Sequence, residues 1–378
     1  MKRLLSCLLG LALSASPAPA EETFAVLSLF YPASTNQNPD VDTHLRLSLF
    51  HSRVGSLKGL DLNVVASQAS GDVRGVQLNG AYGGVHGRMG GVQLTGGVNY
   101  VRGQARGIQA SFVANYVESE TRGLQITGLL NYNLADFSGV QLNSGMNLTE
   151  GNSFAVQLAG LANVTQGSAR GLQIASFVNA AGDLRGLQLG LGNMAQEVRG
   201  AQFGVLNVAR SNRGLQVAPI NYTNEQNGVP VALINYGPGV DFDLVVFGSN
   251  LMGASLGVRT TVNQFYSVIA VGRWDLFGED ESEASSASWN FGYTVPLARR
   301  FELGGDLGFV HIDPDNQDNP DKNGENHYAL QARAVGEWTF SKSFSVFAAV
   351  GGSAIVSDYA KSATTDFEPH VAAGLALF

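Results

Sequence analysis

Six histidines, one cysteine and two acidic runs are the residues of this chain whose chemistry could go beyond packing. The histidines, His44, His51, His86, His311, His327 and His370, stand apart from one another. None has the His-x-x-x-His or Glu-paired spacing that makes a metal site or a proton-transfer pair. Cys7 is the only thiol, and no Gly-x-Ser-x-Gly elbow offers a serine nucleophile. The run from Asp313 to Glu325 is rich in oxygen ligands, and Asn319, Asp321, Asn323 and Gly324 imitate the opening of an EF-hand loop. Its twelfth position is Leu330, where a bidentate Glu should close the site, so a solvated loop is expected rather than a calcium site. The run from Glu279 to Glu283 is read in the same way. No catalytic, cofactor-binding or metal-binding residue is assigned, no cofactor is expected, and the chain is read as a non-enzyme.

The elements around these residues are repetitive. Gly75-Val76-Gln77-Leu78 recurs as Gly91-Val92-Gln93-Leu94, Gly107-Ile108-Gln109-Ala110 and onward, with glutamines 16 residues apart up to Gln173. The step then shortens to 15, 14 and 14 at Gln188, Gln202 and Gln216. Weaker copies precede the array at Leu45-Arg46-Leu47 and Gly59-Leu60-Asp61-Leu62. A second ladder, of asparagines, runs from Asn99 through Asn115, Asn131 and Asn147 to Asn235. Apolar residues flank each glutamine, as in Leu172-Gln173-Ile174, which is the alternation of a strand with one buried face.

Two β architectures fit such units: one coil of a parallel solenoid each, or one strand of an antiparallel barrel each. Three observations favour the solenoid. Identical amides can form ladders only between parallel, in-register neighbours. The connections between units are uniformly short and often end in Arg-Gly, whereas a membrane barrel alternates short turns with long loops. The Gln-to-Asn distance also falls from six residues to five at Gln188, which would flip the asparagine to the other face of a straight strand. A corner between two short strands absorbs the lost residue.

The units Gly186-Leu187-Gln188-Leu189-Gly190-Leu191-Gly192-Asn193 and Gln202-Phe203-Gly204-Val205-Leu206-Asn207 resemble the short surface-repeat family first named from spirochaete surface proteins. So do Ser28-Leu29-Phe30 and Gly59-Leu60-Asp61-Leu62. The resemblance covers roughly residues 25 to 238. It implies a place on the bacterial surface and carries no activity with it.

After Gly237-Pro238-Gly239 the pattern changes to eight longer alternating strands, expected near 241–249, 253–262, 264–275, 286–297, 299–312, 326–340, 343–356 and 366–378. Trp289, Phe291, Tyr293, Val295 and Leu297 fall on one face, and Ser288, Asn290, Gly292 and Thr294 on the other. Connections are short at 263, 298 and 341–342 and long at 276–285, 313–325 and 357–365, the asymmetry of an outer-membrane barrel. Eight strands enclose just enough room for side chains. Arg259, Glu302, Asp306, Arg333 and Glu337 are expected to form a charge network inside. Phe378 resembles the terminal aromatic of such barrels, although Ala372, Gly374 and Ala376 occupy alternate positions where larger apolar residues are usual.

At the other end, Lys2 and Arg3, the apolar run Leu4 to Leu13 and Ala18-Pro19-Ala20 have the layout of a secretory signal, with cleavage expected before Glu21. No later apolar run approaches the ~20 residues of a spanning helix. A net charge of −8 with no basic cluster argues against nucleic acid. The expected organisation is therefore a signal peptide over 1–20, an all-β repeat domain over 21–238 and a barrel-like domain over 239–378. The expected function is non-catalytic: an adhesion-type or structural repeat protein of the outer membrane and cell surface, whose partners are membrane lipid and envelope or surface components. The alternative is one continuous outer-membrane barrel that transports small solutes.

Overall fold

A computed structural model describes residues 21–273, 284–314, 327–359 and 362–378. The signal segment, the run 279–283 and most of the acidic run 313–325 lie outside them. The described residues contain strands and no helix: a parallel β-solenoid of about 13 turns and a closed antiparallel barrel of eight strands. One continuous barrel is thereby excluded. Contacts divide the chain into two compact units, residues 1–182 and 183–378.

In the first unit each coil contributes two short strands. Thr121–Thr127 pairs in parallel with Ala105–Ser111 before it and Phe137–Asn143 after it, always residue i with i+16. Leu130–Asn133 does the same with Ala114–Val117 and Met146–Thr149. The glutamine position lies on the buried face and its apolar neighbours on the outer face: Gln125 is fully buried while Ile126 is exposed. Thr121, Gly123 and Gln125 share one face by alternation, and Thr121 and Gln125 are buried on it. Gly123 takes φ 139°, and a Cβ there would stand 2.0 Å from the Gly107 carbonyl oxygen of the preceding coil. A positive φ with close backbone approach is available only to glycine, which is why the phrase Gly-x-Gln recurs.

The second unit begins with 14-residue coils. Leu187–Leu189, Ala201–Phe203 and Leu215–Gln226 stack with glutamine beside glutamine, and Gly192–Val198 stacks on Leu206–Asn212 with asparagine beside asparagine. Of the two residues lost from each coil, one comes out of the corner between glutamine and asparagine and one out of the connection to the next glutamine, so neither ladder moves. Pro230 stands where the next glutamine would be and, having no side-chain amide, ends the series.

The barrel strands are Val240–Ser249, Gly253–Val262, Phe265–Arg273, Ala284–Ala298, Phe301–Pro314, His327–Ser341, Phe344–Tyr359 and Ser362–Leu377. The first and last pair antiparallel, Leu244 beside Leu377, and close the cylinder. The final coil abuts it: Trp289 Nε1 donates to the Ala232 carbonyl at 3.0 Å, and Asn263 Nδ2 to that of Gln226 at 2.6 Å. One expected long connection, 357–365, is corrected, because the strands continue to Tyr359 and from Ser362 and pair there. Ladder hydrogen bonds carry this hairpin beyond the apolar stretch from which the strand ends were read.

Candidate functional surfaces

Inside the first unit the two ladders run in opposite senses. Each glutamine amide donates toward the N-terminus, Gln93 to Gln77 at 2.8 Å, Gln109 to Gln93 at 2.9 Å and Gln125 to Gln109 at 3.0 Å. Each asparagine donates toward the C-terminus, Asn99 to Asn115 at 2.8 Å and Asn115 to Asn131 at 2.9 Å, while also reaching corner carbonyls such as that of Ile126. The side-chain dipoles of the two columns therefore oppose one another. The positive end of the glutamine column is met by a carboxylate: Gln77 Nε2 donates to Asp61 Oδ2 at 2.8 Å. Asp61 is held by Arg46, whose Nε donates to Oδ1 at 2.6 Å, and both side chains are fully buried. Arg46 and Asp61 thus replace two rungs of the ladder with an ion pair.

Outside, the strands of the first unit carry rows of apolar residues, and some of the corners between them do too, while others are Gly96-Gly97 or Ser144-Gly145. The corner carries Phe112, Leu129, Leu161 and Phe177, of which Phe112 is 73% exposed. One flank of this wedge is the row beside the glutamines, bordered by Lys58, Arg74, Arg106 and Arg122, which stand two residues before Leu60, Val76, Ile108 and Leu124. The other flank carries Tyr100, Tyr116 and Tyr132 in register, with ring centroids 5.7 and 5.4 Å apart. The Tyr100 hydroxyl donates to Glu118 at 2.6 Å, and that bond pushes its pKa up to about 12. At Asp72 burial works upward, but hydrogen bonds and charge from Arg88, with the Arg74 charge, outweigh it and leave the carboxyl below its usual range. A groove of about 1080 Å3 opens along the glutamine-side flank, among Leu47, Leu49, Val64, Leu78, Leu94 and Phe112.

The barrel shares this polarity of inside and outside. Leu256, Leu307, Leu330 and Val350 are exposed, while Asn290, Asp306, Gln331 and Glu337 are buried. Four of the five residues expected inside form two clusters. Arg259 reaches Glu337 through both Nη atoms at 2.6 and 3.0 Å and Asp243 through Nε at 2.8 Å. Arg333 grips Asp306 at 2.8 and 2.7 Å, the Tyr266 hydroxyl donates to the same carboxylate at 2.8 Å, and His370 Nε2 lies 3.3 Å from Arg333. Glu302 belongs to neither cluster; it accepts from Thr294 Oγ1 at 2.8 Å. Only about 30 Å3 of cavity remains between the clusters, the share of liquid volume that ~30 Å3 gives one water.

Asp243 and Tyr266 were not singled out from the sequence, and His370 was noted there only as one of six scattered histidines. Asp243 could have been found, because it pairs directly with Arg259 across two adjacent strands. Ala372 and Ala376 are buried, and the outward row of the last strand is Val371, Ala373, Leu375 and Leu377. Ala372, Gly374 and Ala376 therefore belong to the inward row, and the outward row has one small residue among larger apolar ones. The Phe378 ring lies 5.9 Å from the Arg259 guanidinium.

Of the remaining histidines, His44 lies 3.9 Å from Glu22, His86 Nε2 lies 3.1 Å from Gln68 Nε2, and His311 packs on Tyr328. Burial, then the charges of Arg53 and Arg46, hold His51 below its ordinary pKa. Among the described residues no three His, Cys, Asp or Glu side chains converge as a metal site would require. No family model, curated protein or solved structure matches this chain.

Proposed function

We propose that this chain is a non-catalytic protein of the Gram-negative outer membrane, anchored by its C-terminal barrel and presenting its repeats as a structural or adhesion-type surface. The observation that carries this reading is the barrel itself: closed, apolar on its outer face and ion-paired within, as a lipid-embedded cylinder must be. The N-terminal segment with its expected cleavage before Glu21 supports export, and the resemblance to surface-repeat proteins supports a place in the envelope. Solute transport is the weaker reading, because Arg259, Glu337, Asp306 and Arg333 cross the lumen.

Expression of the full chain in a Gram-negative host, followed by membrane fractionation and gel mobility with and without heating, tests this. The expected result is a detergent-extractable outer-membrane protein whose mobility shifts on boiling. Mature protein free in the cytoplasm or periplasm, with no membrane fraction, contradicts it. Ion conductance in planar bilayers would favour transport instead.

A further inference from the structure

We propose that the repeats of the first unit are themselves a lipid-binding element, a wedge that seats its apolar corner in one leaflet of an anionic membrane. This goes beyond the barrel anchor and does not depend on it.

A water-exposed solenoid is ordinarily apolar inside and polar outside, and here much of that order is inverted. The glutamine and asparagine ladders share the interior with a buried apolar cluster that includes Val54, Leu57, Val73, Val85 and Met89, while Phe112, Leu129 and Phe177 project from the corner. A continuous apolar surface of this kind marks an interaction site, since monomeric soluble proteins rarely expose patches larger than a few hundred Å2.

The borders of the wedge identify the occupant as lipid. On the glutamine side Lys58, Arg106 and Arg170 pair with no carboxylate among the described residues; Arg106 makes only a 3.5 Å contact to Gln104, and Arg170 lies over the Phe154 ring. Arg74 and Arg122 are partly compensated, at 3.9 Å from Asp72 and 2.6 Å from Glu120. Successive coils repeat every ~4.8 Å, so these cations share one column, interrupted at Gly90, Ser138 and Phe154, that can meet phosphate headgroups. On the asparagine side the border is the column of Tyr100, Tyr116 and Tyr132, the first pair stacked and the second edge-on, an amphipathic residue type enriched at the membrane–water interface.

The dimensions agree. Six residues separate the Arg106 column from the Phe112 corner, ~20 Å of extended chain, long enough to reach through the ~15 Å of one hydrocarbon leaflet. The groove beside Phe112, at about 1080 Å3, exceeds the ~300–1,000 Å3 of ordinary ligand pockets and opens outward like a trough for acyl chains. Glu118 and Glu120 follow the tyrosine column on the side of the coil away from the corner, where they would remain in water.

The test uses the full chain carrying Cys7→Ser and one labelled cysteine at a time: Phe112→Cys at the corner, Gln166→Cys in an exposed connection, and Leu256→Cys on the barrel exterior. Each is reconstituted with vesicles of phosphatidylcholine, alone or with three parts in ten phosphatidylglycerol, containing a nitroxide-tagged acyl chain. The expected result is quenching at 112 at least about threefold stronger than at 166. It should grow with phosphatidylglycerol and fall on adding salt beyond the ~8 Å screening length of physiological buffer. Charge reversal by Arg74→Glu, Arg106→Glu and Arg122→Glu should bring the signal at 112 down toward that at 166.

Quenching at 256 but not at 112 would overturn the proposal while leaving the barrel anchor standing, and would mean that a protein covers the corner. Equal quenching at 112 in neutral and anionic vesicles would also overturn it. Quenching at 112 but not at 256 would uphold it and contradict the anchor.

Discussion

The 16-residue coils and the eight-stranded barrel both bury polar side chains beside an apolar core and carry apolar ones outside, but they satisfy the buried polar groups by different means. Parallel coils bring each residue type against its own copy, so a self-complementary side chain is needed, and an amide that both donates and accepts is the simplest one. Antiparallel neighbours bring unlike residues together, so the barrel uses complementary charges, Asp243 against Arg259 and Asp306 against Arg333. Strand direction thus selects the chemistry of the interior. Among the described residues the solenoid buries an ion pair at Arg46 and Asp61, where the glutamine column begins, and its other ion pairs lie on the outside.

The largest effect should come from breaking a barrel ion pair. Arg259→Met strands Glu337 and Asp243 in the lumen and should cost about 3–5 kcal/mol, read by urea unfolding in detergent. The matching change in the solenoid should behave differently: Arg46→Gln with Asp61→Gln replaces the ion pair with two ordinary rungs and should leave stability within about 1 kcal/mol of the parent, whereas Asp61→Leu alone should cost as much as the barrel change.

Interrupting a neutral ladder comes next. Gln125→Leu leaves the Gln141 amide without its acceptor and the Gln109 carbonyl without its donor, at about 1–3 kcal/mol for each stranded group. Hydrogen exchange should rise in the neighbouring coils and stay unchanged in the barrel, because solenoid contacts are local.

Glycines sharpen the same contrast. Gly123→Ala must adopt a positive φ, at about 1–2 kcal/mol, and shift the Gly107 backbone as well, so it should destabilise its coil. Gly248→Ala in the barrel meets open space within 4 Å and should be neutral or slightly stabilising by thermal melting.

The smallest effect is at Tyr100. Its folded pKa is raised to about 12 by Glu118, so its contribution to stability is complete below the ordinary value near ~10 and is lost as pH rises from there through about 12. Tyr100→Phe should remove that loss from the alkaline unfolding curve and do little at pH 7.

Much of this was legible in the sequence. Identical amides at a fixed step implied parallel stacking, and the drop from six residues to five after Gln188 implied a corner. The eight barrel strands alternated clearly enough for their inward faces to be read, including Arg259, Asp306, Arg333 and Glu337. The backbone that crowds Gly123, the Gly107 carbonyl of the preceding coil, was not legible, because spacing along the chain does not give the distance between coils. Which face of each coil meets the surroundings was not legible either. Period-2 alternation is unchanged when a strand is turned over, and only the closure of the coil around the glutamines decides it. Asp243 and Tyr266 were missed, and the contact of His370 with Arg333 was not foreseen, because these depend on partners that the folded barrel brings together.

The central claim is that the repeats stack parallel and in register around their glutamines, and distances along one outer column test it most directly. Spin labels in the Cys7→Ser full chain, at residue 76 paired in turn with 140, 156 and 172, should report separations rising steadily by about 4.8 Å per coil, near ~19, ~24 and ~29 Å between backbones. Separations that zigzag, or that shorten again as the chain advances, would mean antiparallel strands curving into a barrel and would contradict the solenoid.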